Sequence, residues 1–344
     1  MAGKRSFRST VTAPRVEVGV RAIPVLPPGA WALLSPEHLS LGGAAPKDLL
    51  YYGPRDRPTA RYIAKKPRKF GPRECVTEAL LSAVGRRLPV KLAGWRLVRL
   101  PHGSGAADDV RFLSKVFLKH GEEQLVHGVE IAARYLDAHE DEVRQVFNLD
   151  DRKQERSFWT VSFVLDALED LAAGRSEYEH LRDGFARMLA YDAFVGTADR
   201  HPENWGIVEN IRRPAPRCFA PLYDTARGLF GTHREAKLVE VDGRGKREAL
   251  IRKYAEGSYP IFGWDGMPGA KLNHFKVLER ALREHGEELG LPIRQVIGAV
   301  NLGAIDKSLR LGFSRIITKR RLDYILDLLQ FRYDRLKLIL AETM

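Results

Sequence analysis

Cysteine is nearly absent from this chain: Cys75 and Cys218 are the only two among 344 residues. So sparse a pair supplies neither a disulfide framework nor a repeated metal-ligand spacing, and it fits a reducing compartment. Long apolar runs are missing as well, since none approaches the ~20 residues that a helical membrane span needs. The expectation is a soluble, cytoplasmic chain. Nothing repeats at a period of ~20 to 50 residues, which excludes solenoid and propeller arrays. Acid is missing from the first sixteen residues, where Lys4, Arg5, Arg8 and Arg15 are interspersed with Ser6, Ser9, Thr10 and Thr12. With no apolar face beside those arginines, the segment reads as a flexible basic tail rather than an organellar transit segment.

What is present narrows the choice. Lysine plus arginine total 56 against 44 acids, a net charge of +12, which favours an acidic partner: a nucleotide, a phospholipid surface or nucleic acid. Charge alone does not choose among them. With 44% hydrophobic residues, the chain can bury one large core or two modest ones. Pro24, Pro27 and Pro28 punctuate the end of the tail, placed at residues 1–29. Residues 30–119 read as a small mixed lobe. There 62–65 forms a strand, Val76, Ala79, Leu80 and Val84 mark a helix over 74–84 that ends at Gly85, and 95–100 and 110–118 form further strands around the flexible His102-Gly103-Ser104-Gly105 stretch. From residue 120 to 344 the pattern turns helical. Leu181, Phe185, Met188, Leu189 and Phe194 outline one amphipathic helix, and Leu322, Ile325, Leu329, Tyr333, Leu336 and Leu340 outline a long terminal one. The predicted fold class is α+β, a small mixed lobe followed by a large, mainly helical one.

The chemistry concentrates where the first of those helices ends. Asp199-Arg200-His201-Pro202-Glu203-Asn204 is followed by Asp224 in Pro221-Leu222-Tyr223-Asp224. Phosphoryl transfer asks a protein mainly to position an acceptor hydroxyl and to offset phosphate charge. Mg²⁺ is a hard cation that keeps several waters, so one amide and one carboxylate suffice beside the phosphates; Asn204 and Asp224 fit. Asp199 would accept the hydroxyl's hydrogen bond and then its proton. Asp, Asn, Pro and Gly are also the commonest turn residues, so the D-x-x-x-x-N spacing alone is more often a helix exit than an active site. Its context separates the readings: an apolar helix enters the loop, and Trp205-Gly206-Ile207 with Phe219-Ala220-Pro221-Leu222-Tyr223 form a hairpin that brings the two ligands together. His201 is either a general base or, more simply, a hydrogen-bonding brace for the loop.

Such a site also needs a phosphate cradle and a cation. Ser40-Leu41-Gly42-Gly43-Ala44-Ala45-Pro46-Lys47 offers small residues whose amides can approach phosphate oxygens, although a glycine pair is more often a plain turn. Lys65, at the end of the 62–65 strand, would grip the phosphates when paired with Glu74 on the next helix; Lys66 and Glu78 are the substitutes. The run Lys65, Lys66, Arg68, Lys69 is otherwise a solvated basic face.

Taken in order, the 40–47 segment, Tyr62-Ile63-Ala64-Lys65, Glu74, Gly196-Thr197-Ala198-Asp199-Arg200-His201-Pro202-Glu203-Asn204 and Tyr223-Asp224 resemble a HipA-like serine/threonine kinase over about residues 38–335. Only the D-R-H-x-x-N element is specific by itself; the shared order carries the rest. The resemblance implies a two-lobed protein-kinase-like fold, ATP and Mg²⁺, and transfer to Ser or Thr of a protein substrate. It implies Asp199 as catalytic aspartate, Asn204 and Asp224 as magnesium ligands, and Lys65, with Gly42, Gly43, Lys47 and Glu74, as the nucleotide-binding set. Ser40 matches a serine that some members autophosphorylate. The family usually has Asn-Thr before the catalytic aspartate, where this chain has Thr197-Ala198. Full-length members carry a longer amino-terminal subdomain and bind an antitoxin partly through it; only 39 residues precede Ser40 here, so the chain reads as a short, free-standing kinase, an antitoxin-like partner being secondary and nucleic acid not required. The 111–118 strand would lead into a hinge facing adenine, and Gly228, Gly231, Gly243 and Gly245 suggest a mobile, acceptor-choosing segment. Two alternatives share the motifs: a phosphatidylinositol-kinase-like lipid kinase, whose basic surface would suit an anionic membrane, and an inactive nucleic-acid-binding relative.

Overall fold

Between residues 47 and 115 successive side chains of each strand point to opposite faces of the sheet, and the two faces are buried differently. Leu97, Val110 and Phe112 join the main core, whereas Leu50, Tyr62, Ala64, Val98 and Leu113 close with Leu26 into a smaller cluster on the other face. In the computed structural model, which describes residues 17–27, 31–34, 47–53, 59–101, 109–148, 152–225 and 227–343, these strands are β1 (Trp31–Leu34), β2 (Lys47–Tyr52), β3 (Ala60–Lys65), β4 (Trp95–Arg99) and β5 (Val110–Lys115). They form one antiparallel sheet in the order β1-β2-β3-β5-β4. Residues 1–16 of the expected tail, the 102–105 stretch, Ser40, Gly42 and Gly43 lie outside the described residues; residues 17–27, which the tail was expected to include, are described, with Val18, Ile23 and Leu26 buried.

Helix α1 (Pro72–Gly85) crosses the main-core face of this sheet. Pro72 suits its start, because the first turn lacks intrahelical acceptors for its N–H groups anyway, and Val76, Ala79, Leu80, Leu81 and Val84 are buried. Each such large aliphatic side chain contributes roughly 1.5–3 kcal/mol on leaving water. Residues 17–26 bind this lobe to the end of the chain: Gly19 N–H donates to the Ile316 carbonyl at 2.7 Å, and Glu17 pairs with Arg73 at 3.1 Å.

After β5 the chain crosses to a second antiparallel sheet, β6 (Glu123–His127), β7 (Gly206–Asn210) and β8 (Cys218–Phe219), within a helical assembly. The helices are α2 (Gly128–Tyr135), α3 (Glu140–Asn148), α4 (Arg152–Phe158), α5 (Val161–Leu171), α6 (Arg175–Val195), α7 (Glu235–Gly243), α8 (Arg247–Glu256), α9 (His274–Glu284), α10 (Gly286–Gly298), α11 (Leu302–Phe313) and α12 (Lys319–Glu342). Helix α6 is the axis, packed on α10, α9, α12 and β8, with Phe185, Met188, Leu189, Tyr191 and Phe194 buried. On α12 the expected Leu322, Ile325, Leu329 and Leu336 are buried, but Tyr333 is only half-buried and Arg332 takes the interior place beside it. The architecture is α+β, a small mixed part and a larger helical one. Among the described residues no helix is long and apolar enough to cross a membrane.

The stretch after Asp224 departs from expectation. Gly228 and Gly231 sit against α1, where a Cβ would meet Leu81 and Thr77, and Leu229 and Phe230 are buried, the latter against Tyr254 at 4.2 Å between ring centres. Gly228 and Gly231 thus answer close packing, whereas Gly243 and Gly245 face open space.

Candidate functional site

The strand register sets the sheet's contribution. Lys47 and Lys65 are direct cross-strand partners at the open end of β2 and β3, an arrangement of like charges that is destabilising by itself. Anions relieve it. The Lys65 ammonium donates to Glu78 of α1 and lies 2.8 Å from Asp224 Oδ1, while Lys47 Nζ lies 3.7 Å from Asp224 Oδ2. Glu74, the expected partner of Lys65, is placed elsewhere: its carboxylate accepts the N–H groups of Arg68 and Phe70 at 2.6 and 3.1 Å. Glu74 and Glu78 are one turn apart, and the docking of α1 on the sheet chooses the second.

The helical side is built on the end of α6. Gly196 terminates that helix in the left-handed region at φ 73°, and a Cβ there would lie 2.9 Å from Arg332 Nη1, so glycine is required on both counts. Four side chains then fix the loop. Ser258 donates to the Gly196 carbonyl at 2.8 Å, and His274 Nε2 donates to the Thr197 carbonyl at 2.7 Å. Arg332 donates to the carbonyls of Ala193 and Ala255, a cation at the carboxyl ends of α6 and α8 where the helix dipoles favour it. The fourth, Arg200, is wholly buried and makes a two-pronged ion pair with Asp192 at 2.9 and 3.0 Å. Its remaining nitrogen donates to the carbonyls of both Asn204 and Tyr223, each at 2.9 Å. One guanidinium thus ties the Asp199–Asn204 loop to the residue preceding Asp224.

Within that loop Asn204 Nδ2 donates to the Asp199 carbonyl at 2.7 Å and contacts His201 Nε2 at 3.1 Å. The amide nitrogen is thereby engaged within the loop, where His201 contacts it as a brace would. Among the described residues no three His, Cys, Asp or Glu side chains gather around a metal position. The Asn204 amide oxygen and the Asp224 carboxylate are nonetheless hard oxygen donors of the kind that a divalent cation such as Mg²⁺ takes. Asp224 itself has a left-handed backbone, φ 51°, a costly conformation for a non-glycine residue that is characteristic of functional loops. Asp199 points its carboxylate to Arg227, with Nε 3.3 Å from Oδ2.

Burial and charge act in opposite senses here. Burial would raise the Asp224 pKa, but Lys65, then Lys47 and His201, hold it down at about 2. Burial would lower that of Lys65, yet Glu78 and Asp224 outweigh it and keep the ammonium charged. For Glu78 burial prevails over Lys65, with Asp224 adding to the rise, and its carboxyl is pushed up to about 7. Of the two carboxylates on Lys65, Asp224 is therefore the one held firmly in its charged form.

The structure brings Lys47, Lys65, Asp224, Asn204 and Asp199 to one region, substitutes Glu78 for Glu74, and leaves the 40–46 loop undescribed. Sequence reasoning gave no role to Arg200, Asp192, His274, Ser258 or Arg332. One signal was available: Asp192 continues the apolar stripe Phe185–Leu189 of α6, and a carboxylate on a buried face demands a partner.

No protein-family model matches the chain, and no curated protein matches it. Among solved structures it resembles the Helicobacter pylori proinflammatory kinase CtkA, with 16% identity, a TM-score of 0.69, and 93% of this chain and 98% of that one covered. It is also similar to HipA in a Shewanella oneidensis toxin–antitoxin complex with HipB and operator DNA, with 14% identity, a TM-score of 0.46, and 90% and 72% coverage. The first likeness extends over nearly the whole of both chains, and at that identity it is one of fold: this chain has the fold of the kinase CtkA.

Proposed function

We propose that the chain is an ATP- and Mg²⁺-dependent protein kinase that transfers the γ-phosphoryl group to a Ser or Thr hydroxyl. One observation carries this reading: a single ammonium, Lys65, joins Glu78 of the sheet-side helix to Asp224 of the helical side at 2.8 Å. A lysine on the third strand, paired with a helix glutamate, is what orients nucleotide phosphates in kinases. The fold shared with a protein described as a kinase supports the same reading.

Bound ATP–Mg²⁺ would supply the phosphoryl group and the charge that neutralises its oxygens. Lys65 and Lys47 present two adjacent cations to the phosphates, and their mutual repulsion falls as an anion arrives. Asn204 and Asp224 offer the metal's oxygen ligands. Asp199 accepts the acceptor's hydrogen bond and takes the proton as the hydroxyl oxygen bonds to phosphorus and the bond to the ADP oxygen breaks. The 40–46 loop, with Gly42 and Gly43, covers the phosphates in this reading, and Ser40 is a candidate autophosphorylation site. An unmodified Ser40 peptide after long incubation with ATP would argue against that last step.

The test is labelled ATP and Mg²⁺ with protein acceptors and, separately, phosphoinositide vesicles. Asp199→Ala and Asp224→Ala should each lose at least ~10³-fold in transfer, the scale of removing an essential electrostatic group, while keeping the wild-type circular dichroism spectrum. Wild-type transfer by folded variants overturns the assignment, and label found only in lipid overturns the protein acceptor.

A further inference from the structure

Arg227 is held at its backbone and loose at its tip. The Ala198 N–H donates to the Arg227 carbonyl at 3.1 Å, which pins residue 227 beside the residue preceding Asp199, and the next three residues, Gly228, Leu229 and Phe230, pack into the interior. The Arg227 side chain is 59% exposed against 18% for that of Asp199. Its contact with Oδ2, at 3.3 Å, exceeds the 2.7–2.9 Å of a strong charge-assisted hydrogen bond, and among the described residues the side chain makes no other ion pair or hydrogen bond. Arg200, one residue beyond Asp199, shows the contrast: buried, two-pronged and satisfied on every side.

Two consequences follow. A carboxylate engaged by a guanidinium is a poorer acceptor for an incoming hydroxyl, and a guanidinium on the solvent side of that carboxylate is passed by whatever group approaches it. Arginine presents a planar fork of donors that matches a carboxylate in two-pronged fashion. An acidic residue close to the accepting hydroxyl can therefore take the fork from Asp199, freeing the base as it gains a partner.

We propose that Arg227 is a specificity-determining residue that selects acceptor peptides carrying an acidic side chain next to the accepting Ser or Thr. The exchange of one carboxylate for another couples recognition to exposure of Asp199. This inference rests on the kinase reading for its chemistry, but peptide binding by Arg227 can be measured without turnover.

The experiment uses the full chain and three matched serine peptides flanked by Asp, Ala or Lys, with binding measured by fluorescence anisotropy and transfer from labelled ATP measured alongside. Wild type should favour the Asp peptide over the Ala peptide roughly tenfold in kcat/KM, the scale of a hydrogen bond to a charged group, and mainly through KM. Arg227→Ala should level these two peptides, Arg227→Lys should restore part of the preference, and Arg227→Glu should turn it toward the Lys peptide. A merely structural Arg227 would lower all three peptides together and would not invert under charge reversal. Transfer without any Arg227-dependent preference overturns this inference and leaves the kinase reading standing. Arg227-dependent binding of the Asp peptide without transfer to any of the three overturns the kinase reading and leaves the docking role. Neither binding nor transfer overturns both.

Discussion

Lys65 and Arg200 are both buried cations of one site, yet their surroundings differ in kind. Lys65 stands at a strand end with Lys47 directly opposite, and its two carboxylate partners come from separate elements, α1 and the loop after β8. Arg200 is enclosed by Asp192, Asn204, Tyr223 and Thr225, so that every nitrogen has a protein acceptor. The sheet side is thus a set of charges that an arriving anion can rearrange, whereas the helical side is a closed network. In the proposed kinase, the side that grips phosphates would exchange partners on each cycle, and the side that places Asp199 and Asn204 would have to stay still.

Breaking the closed network should have the largest effect. Arg200→Met leaves Asp192 buried and uncompensated, which costs about 3–5 kcal/mol, measurable as a shift in urea unfolding. Adding Asp192→Leu should recover much of that stability, because a buried pair replaced by apolar residues of similar bulk is often neutral. Recovery of stability without recovery of transfer would separate holding the fold from holding the loop.

Acid should loosen the helical side next. Burial, aided by the Arg332 charge and opposed by the bond to the Thr197 carbonyl, lowers the His274 pKa from 6.5 to about 3. The folded value lies below the unfolded one, so below pH 6.5 the unfolded chain takes up a proton that the native chain refuses. Stability is therefore lost as pH falls from 6.5 toward 3. Between pH 6.5 and 5 the loss from this one group is about 2 kcal/mol. His274→Gln keeps a donor for Thr197 without the titration, and its urea midpoint should fall less over that interval than the wild type's. Equal slopes would mean that His274 does not carry the acid response.

These two networks mark where reading the sequence stops. The Asp199–Asn204 spacing, Asp224 and the strand ending in Lys65 were legible because each is a local pattern: turn residues at fixed offsets, an apolar run, a helix entering the loop. Strands β3, β4 and β5 and helices α1, α6 and α12 follow from period, as does the burial of Leu322, Ile325 and Leu329, whereas β1, β2, β6 and the other helices were not read from it. Arg332, His274 and Ser258 were not legible, since each acts on residues far off in the chain, His274 on Thr197, Arg332 on Ala193 and Ser258 on Gly196, and no local pattern encodes a partner; Asp192 alone left a local sign, a carboxylate on the apolar stripe of α6 eight residues before Arg200. The segment holding Leu229 and Phe230 looked mobile from its glycines, whereas tertiary contact with α1 and Tyr254 decides the matter.

The smallest effect tests the one turn that periodicity misjudged. Glu74 and Glu78 are four residues apart and lie on one face of α1, so spacing alone offers both to Lys65. Glu74 occupies the first turn and satisfies the Arg68 and Phe70 N–H groups, the work of a capping residue, worth about 1 kcal/mol. Glu74→Ala should lower thermal stability by that amount and leave the KM for ATP unchanged, while Glu78→Gln, by removing the anion beside Lys65, should raise that KM and slow transfer. The reverse outcome would require α1 to slide one full turn, about 5.4 Å, when nucleotide binds. Such a slide would drag Leu81 and Thr77 away from Gly228 and Gly231, which lie in contact with them here, so the packing of the Asp224 loop predicts that Glu78 keeps the role.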